Sequence, residues 1–230
     1  SARKLRHGGV IFEVDCTDTK AWLSCQSNSK SFSEHFGSST MIKDKTFQVI
    51  AEYMPTTFNP ELASSLTETE KASKLLPGSI IKAKWIKPPA RRNPGQRTAF
   101  CTISCKDRES ANQAIRLGLT IEGRKISARK LLPEPTRCLK CQQLTSEHMA
   151  SSCSQTVDTC GTCGMDHHTS ECDFGKADPQ HHYCVNCNLQ GHAAWSRDCL
   201  MFINRSNKMH SKSEEARYKY FPMENNPDSW

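Results

Sequence analysis

Long apolar runs are missing from this 230-residue chain. Nowhere do about eighteen apolar residues follow one another, so a transmembrane helix is excluded. No apolar stretch near the start resembles a signal peptide. Hydrophobic residues make up 36% of the sequence and aromatics 7%. Also missing are a carboxylate pair, a phosphate-cradling glycine loop and a nucleophile motif, so no enzyme chemistry and no small-molecule substrate are expected. The first residue is Ser1 where a Met would stand, as expected of a fragment or a processed product.

Cysteine is what the chain has in excess. Nine of its thirteen cysteines lie between 138 and 199. An odd total fits a disulfide framework poorly, and paired cysteines accompanied by histidine favour metal. Taken in order, they read Cys138-x2-Cys141-x6-His148-x4-Cys153, then Cys160-x2-Cys163 with His167 or His168 and Cys172, then Cys184-x2-Cys187-x4-His192-x6-Cys199. A single CxxC is a weak signal. Three consecutive units that keep the order Cys, Cys, His, Cys are a strong one.

The spacing has a physical reason. Two residues between cysteines allow a tight turn to aim both sulfurs at one ion, and a short loop returns the His and the last Cys. Each unit has about fifteen residues, too few to bury a core. The metal must therefore supply the folding free energy, on the order of 10 kcal/mol or more. Three Zn²⁺ ions are expected, each with four protein ligands and no open position, hence structural. A cross-braced pair of sites, as in RING ubiquitin ligases, would need interleaved ligands, whereas here each quartet closes before the next begins. Cys16, Cys25, Cys101 and Cys105 lack ligand spacing and are read as small buried hydrophobes.

Charge is uneven. The chain carries a formal +7, but residues 79–137 hold fourteen Lys and Arg against four Asp and Glu, leaving −3 elsewhere. Filling three Cys₃His sites would lower the total to about +4. The basic block therefore precedes the metal sites, and it is the footprint of a polyanion partner.

Within 47–135 the pattern predicts strand FQVIAEYMPTTF, a helix over ELASSLTETEKASKLL started by Asn59-Pro60, strand SIIKAKWIKP, basic turn ARRNPGQ, strand RTAFCTISC, and helix DRESANQAIRLG ending at Gly118. A strand or hairpin LTIEGRKISARKLL follows. In the second strand, alternation puts Ile80, Lys82, Lys84 and Ile86 on one side and Ile81, Ala83, Trp85 and Lys87 on the other. In the second helix, Ala111, Ala114, Ile115 and Leu117 form the buried face. The fold class is α+β, and βαββαβ is the order of an RRM-like, ferredoxin-like domain. The usual RRM aromatic motif is absent, so base stacking on the sheet is not expected. Candidate nucleic-acid contacts are Lys82, Lys84, Trp85, Lys87, Arg91, Arg92 and Arg97, chiefly to phosphate. In the metal units, Leu139, Met149, Val185 and Trp195 are candidates for apolar contact with bases.

The start of the chain, VIFEVD then TKAWLSCQSNSKSFSEHF then TMIKDKTF, reads as strand, helix, strand. Residues 1–46 are thus expected to be the back half of another RRM-like unit, its front half missing. The divisions expected are 1–46, an RRM-like basic domain over 47–135, three zinc knuckles over 136–200, and a helical then disordered tail over 201–230. In that tail Pro222 and Pro227 oppose regular structure, and Tyr218, Tyr220, Phe221 and Trp230 are left without an assigned role.

The runs LPGSIIKAKWIKPPARRNPGQRTAF, EPTRCLKCQQL, DTCGTCGMDHHTSEC, CVNCNLQGHAAWSRDC and ARYKYFPMENNPDSW together resemble the Gag-like first-reading-frame protein of fungal non-LTR (LINE-type) retrotransposons, over about residues 10–230. The resemblance implies binding of the element's RNA, self-association into a ribonucleoprotein in the cytoplasm or nucleus, and nucleic-acid chaperoning. It departs from the retroviral knuckle at the six residues between Cys141 and His148, and again between His192 and Cys199. Spacing leaves His167 and His168 open as the middle ligand; the resemblance, through Gly-x-Asp-His, favours His167. Single-stranded RNA or DNA is the expected partner on either ground. A host RNA-processing adaptor whose knuckles bind proteins is the alternative.

Overall fold

The computed structural model describes residues 1–4, 9–35, 37, 42–144, 148–174 and 178–223. The predicted disordered end, with Pro227 and Trp230, lies outside the described residues, as do Thr40 and Met41. The chain divides into two compact units, 1–47 and 48–230.

In the first unit, strands β1 (Ala2–Lys4) and β2 (Val10–Phe12) form an antiparallel pair, followed by helices α1 (Thr17–Ser24) and α2 (Gln26–Glu34). Phe12 meets Phe32 edge to face at 5.3 Å. The half-domain expected here does not form among the described residues. Val10–Phe12 pairs with Ala2–Lys4, and residues 42–46 carry no strand. Cys16 and Cys25 are exposed and not buried as expected. Cys16 sits at the N-cap of α1, where its sulfur accepts from the Thr19 amide.

Strand β3 (Phe47–Pro55) leads from the boundary at residue 47 into the second unit, which continues with α3 (Ala63–Ala72), β4 (Ile80–Trp85), β5 (Thr98–Cys105) and α4 (Arg108–Leu117). A hairpin of β6 (Leu119–Ile121) and β7 (Arg124–Ile126) and then β8 (Ala128–Lys130) complete it. The predicted "last strand or hairpin" is therefore both. Glu122 and Gly123, at φ +49° and +72°, make the turn, and β8 alone enters the main sheet. That sheet has four antiparallel strands in the order β4-β5-β3-β8. Its buried side holds Val49, Ala51, Ala83, Cys101 and Ile103 beneath Ala111, Ala114 and Ile115 of α4. A fully buried aliphatic chain such as Ile103 contributes about 1.5–3 kcal/mol.

Local chemistry sets the element ends. Asp107 caps α4 by accepting from the Ser110 amide at 2.7 Å. Gly118 ends it at φ +69°, where a Cβ would lie 2.7 Å from the Ile126 carbonyl oxygen. The buried Glu70 carboxylate accepts from the amides of Gly78 (2.9 Å) and Ile80 (2.7 Å), tying the end of α3 to the start of β4. Burial pushes the Cys101 thiol up to about 11 and Cys105 to about 12, so both are inert core thiols, as the sequence suggested.

Two face assignments need correction. The register between β4 and β5 shifts between Ile80 and Lys82. That irregularity puts Ile80 in the core with Ala83 and Trp85 and leaves Ile81 exposed, so simple alternation fails at the first residue of the strand. In α4, Leu117 is exposed, while Asn112 is buried.

Beyond residue 200 the described residues are helical, then irregular. Helix α5 (Leu200–Ser211) starts directly after Cys199, and α6 (Glu214–Arg217) follows. The segment after α6 then straps onto α4 and β8. Asn112 pairs with Phe221 in both directions: the Phe221 amide donates to Oδ1 at 2.7 Å and the Asn112 Nδ2 donates to the Phe221 carbonyl at 2.8 Å. Lys130 Nζ donates to the carbonyls of Glu215 (2.7 Å), Tyr218 (3.0 Å) and Tyr220 and lies 4.5 Å from the centre of the Phe221 ring. Burial is the main force on this amine and pulls its pKa down to about 8. No helix among the described residues is long and apolar enough to cross a membrane.

Candidate metal centres

Three quartets of side chains converge: Cys138, Cys141, His148, Cys153; Cys160, Cys163, His167, Cys172; and Cys184, Cys187, His192, Cys199. In each, all four donor atoms lie within 4.8 Å of one another. Four donors around an ion with metal–sulfur bonds of about 2.3 Å should stand about 3.8 Å apart. The observed edges fit. Cys163 and Cys172 sulfurs are 3.8 Å apart and those of Cys184 and Cys199 3.6 Å. The Nε2 atoms of His148, His167 and His192 lie 3.3, 3.7 and 3.2 Å from the second cysteine sulfur of their quartets. Each quartet could hold one metal ion.

All three are built by the same turn. The residue after the second cysteine adopts a left-handed conformation: Gln142 at φ +61°, Gly164 at +78°, Asn188 at +56°. Its amide donates back to the carbonyl of the first cysteine at 2.8, 2.9 and 2.8 Å. Glycine takes that conformation freely and Asn tolerates it. Gln142 is held there by its side chain, which donates to the Leu139 carbonyl at 2.8 Å and accepts from Arg137. In the first two quartets a single 3₁₀ turn, Ala150–Ser152 or Thr169–Glu171, delivers the last cysteine.

The turn also divides the thiols. Burial opposes ionisation of all six CxxC sulfurs. In the first cysteine of each pair, amides of the turn and neighbouring thiols outweigh it, bringing Cys138 to about 7 and Cys160 to about 6 and lowering Cys184 too. In the second cysteine burial prevails, aided by the first sulfur, raising Cys141, Cys163 and Cys187 to about 11. The first cysteine of each pair is thus the easier of the two to ionise, and a cation would have to compete with the proton on the second.

The doubled histidine separates into two roles. His167 joins the quartet. His168 contacts Ser170 through Nδ1, 2.6 Å from the hydroxyl and 3.3 Å from the amide, and so caps the Thr169–Glu171 turn. His168→Ala is accordingly expected to keep three metals per chain by native mass spectrometry, and His167→Ala to retain two. Three metals in the His167 variant at undiminished affinity would overturn this division.

The quartets are separate, but the modules are not. Asn186 of the third accepts from the Leu144 amide at 2.7 Å and donates to the Gln142 carbonyl at 3.0 Å, gripping the first. The Ala194 amide donates to the Gly161 carbonyl at 2.9 Å, and Tyr183 to Thr162 likewise. Gly161 and Gly164 permit this closeness: a Cβ on Gly164 would sit 2.5 Å from Tyr183, and one on Gly161 2.9 Å from Gln142. Trp195 Nε1 faces the Thr162 hydroxyl at 3.4 Å, and its ring meets His182 edge to face. Trp195 therefore packs across two modules and is 36% exposed. Sequence reading missed Asn186, Gly161 and Gly164 as packing residues; the two glycines in CGTCG were the available sign.

The remaining candidates scatter. Leu139 and Met149 are exposed, at 65% and 45%, and Val185 packs beside Cys184 and Ala194. Lys82, Lys84, Arg91 and Arg97 are exposed, and Lys87 is half-buried. Trp85 is 8% exposed; Phe58 meets it edge to face and the Arg92 guanidinium stacks on it at 4.2 Å. These two residues thus hold the basic loop to the sheet. The chain matches no protein-family model and no curated protein.

Proposed function

We propose that this protein binds single-stranded nucleic acid, chiefly RNA, through three zinc knuckles and a basic RRM-like domain, without chemistry of its own. The carrying observation is the set of three closed Cys₃His quartets packed into one array. Thiolate and imidazole donors suit zinc, and four protein donors per ion make each site structural. Zinc there would fix the loop that displays Leu139 and Met149. The βαββαβ order, with the first and third strands central, supports an RRM-like reading of the sheet domain. Its exposed Lys82, Lys84, Arg91 and Arg97 are suited to phosphate. The resemblance to Gag-like retrotransposon proteins extends this reading to packaging and chaperoning of an element's RNA in an intracellular ribonucleoprotein, with self-association.

If these four cations meet phosphates, raising salt from about 50 to about 200 mM should weaken binding of a short RNA by roughly fiftyfold. Fluorescence anisotropy across a salt series measures it. A flat affinity would remove the phosphate grip from this reading.

A further inference from the structure

Arg137 stands where the three metal modules meet. It directly precedes Cys138, the first ligand of the array. Its guanidinium is half-buried and donates through Nη1 to Gln142 Oε1, on the left-handed residue that closes the first CxxC turn. The same Nη1 lies against Gly161, inside the second CxxC: a Cβ on that glycine would sit 3.1 Å from it and 2.9 Å from Gln142 Oε1. The Cys184 sulfur of the third quartet is close enough to act on the guanidinium charge. One cation thus faces all three modules.

A cation is needed there. Three thiolates outweigh the charge of a divalent ion, so a filled Cys₃His quartet carries about −1. Three such quartets held together repel one another. The modules are nonetheless joined in every pairing. Asn186 ties the third to the first, the Ala194 amide ties the third to the second, and the Thr159 amide donates to the Lys140 carbonyl at 2.9 Å between the second and the first. A guanidinium shielded from water at the junction offsets the repulsion more strongly than a surface cation would, because burial reduces screening. Its planar fork also holds one orientation between two turns, where a lysine amine would swing freely. Each turn aims two sulfurs, so a turn held by its neighbour is already set for its ion.

We infer that Arg137 is a positioning residue that couples the three sites, so that a filled module raises the metal affinity of the other two through the Arg137–Gln142 pair lodged against Gly161. This coupling rests on the reading of all three quartets as metal sites. It makes the array fill as a unit and, when metal is scarce, empty as a unit.

The test is a double-mutant cycle on the full chain with Zn²⁺ as the probe. Chelator competition measures affinity, and native mass spectrometry counts the ions bound. His167→Ala removes a ligand of the second quartet. In the otherwise unaltered chain it should also weaken metal binding at the first and third quartets by about tenfold. In an Arg137→Gln background that further loss should shrink to about twofold or less. Gln142→Gly suits the positive φ at that position, keeps the arginine charge and removes its partner, so it should shrink the loss likewise. It is the variant read if Arg137→Gln takes up no metal. The full loss persisting in the variant background would make Arg137 a local prop of the first turn and overturn the coupling. No loss at the first and third quartets of the otherwise unaltered chain overturns it too. An unaltered chain that binds fewer than three ions overturns the metal reading beneath it.

Discussion

Stripping metal from this protein is expected to loosen the α/β domain as well as unfold residues 138–199. Each quartet closes a module too small for its own core, so each ion is worth on the order of 10 kcal/mol to that module. The third quartet also anchors the C-terminal helices. Cys199 is the residue before α5, and Arg205 on that helix donates to the Leu144 carbonyl while His210 contacts the Pro133 carbonyl at 2.8 Å. Arg197, just before Cys199, pairs through both Nε and Nη2 with Glu134 at 3.0 Å. From α5 the chain runs into the strap on Asn112 and Lys130. Releasing Cys199 frees that strap from its origin. Hydrogen exchange before and after chelation, with metal counted by native mass spectrometry, measures the coupling. Amides of α4 and β8 should lose about 3 kcal/mol of protection, the worth of burying an aromatic anchor. Unchanged exchange there, with 138–199 fully unprotected, would show that the modules and the sheet are independent.

The second large effect is expected at Phe221. Its ring is 5% exposed and lies against the Lys130 amine. Replacing it with Ala removes the buried ring and the cation's π-face, at a cost of about 3–5 kcal/mol. Asn112→Ala should cost about 2–4 kcal/mol by a different route, leaving the Phe221 amide and carbonyl buried without their partner. Because both changes dissolve one contact, the double variant should fall well short of the sum. Urea unfolding of the metal-loaded chain measures all three. A loss below about 1 kcal/mol for Phe221→Ala would mean the strap is peripheral to stability.

Much of the architecture was visible beforehand. Helix α4 was marked by Asp107 at its start and Gly118 at its end, and the β5 pattern TAFCTISC alternates cleanly. Where reading failed, a single backbone irregularity was the cause. The shift between Ile80 and Lys82 inverts one residue of β4, and the left-handed Tyr53 brings out a ring that alternation along β3 does not place. Such irregularities depend on what the neighbouring strand demands, and they leave little trace in local composition. The tail escaped for a similar reason. Its anchors, Asn112 and Lys130, lie 109 and 85–90 residues away along the chain.

The sequence by itself determined the three quartets, because metal donors must be close along the chain when no core exists to bring them together. Ligand order and the CxxC turn are local facts, governed by bond lengths and a few dihedral angles. It also located the basic block, since charge is additive. Only the tertiary structure decided that His168 is a cap, that the three modules grip one another through Asn186, Gly161 and Gly164, and that the tail closes on α4. Those outcomes depend on shape and on hydrogen-bond partners many residues distant, for which a linear pattern carries no signal.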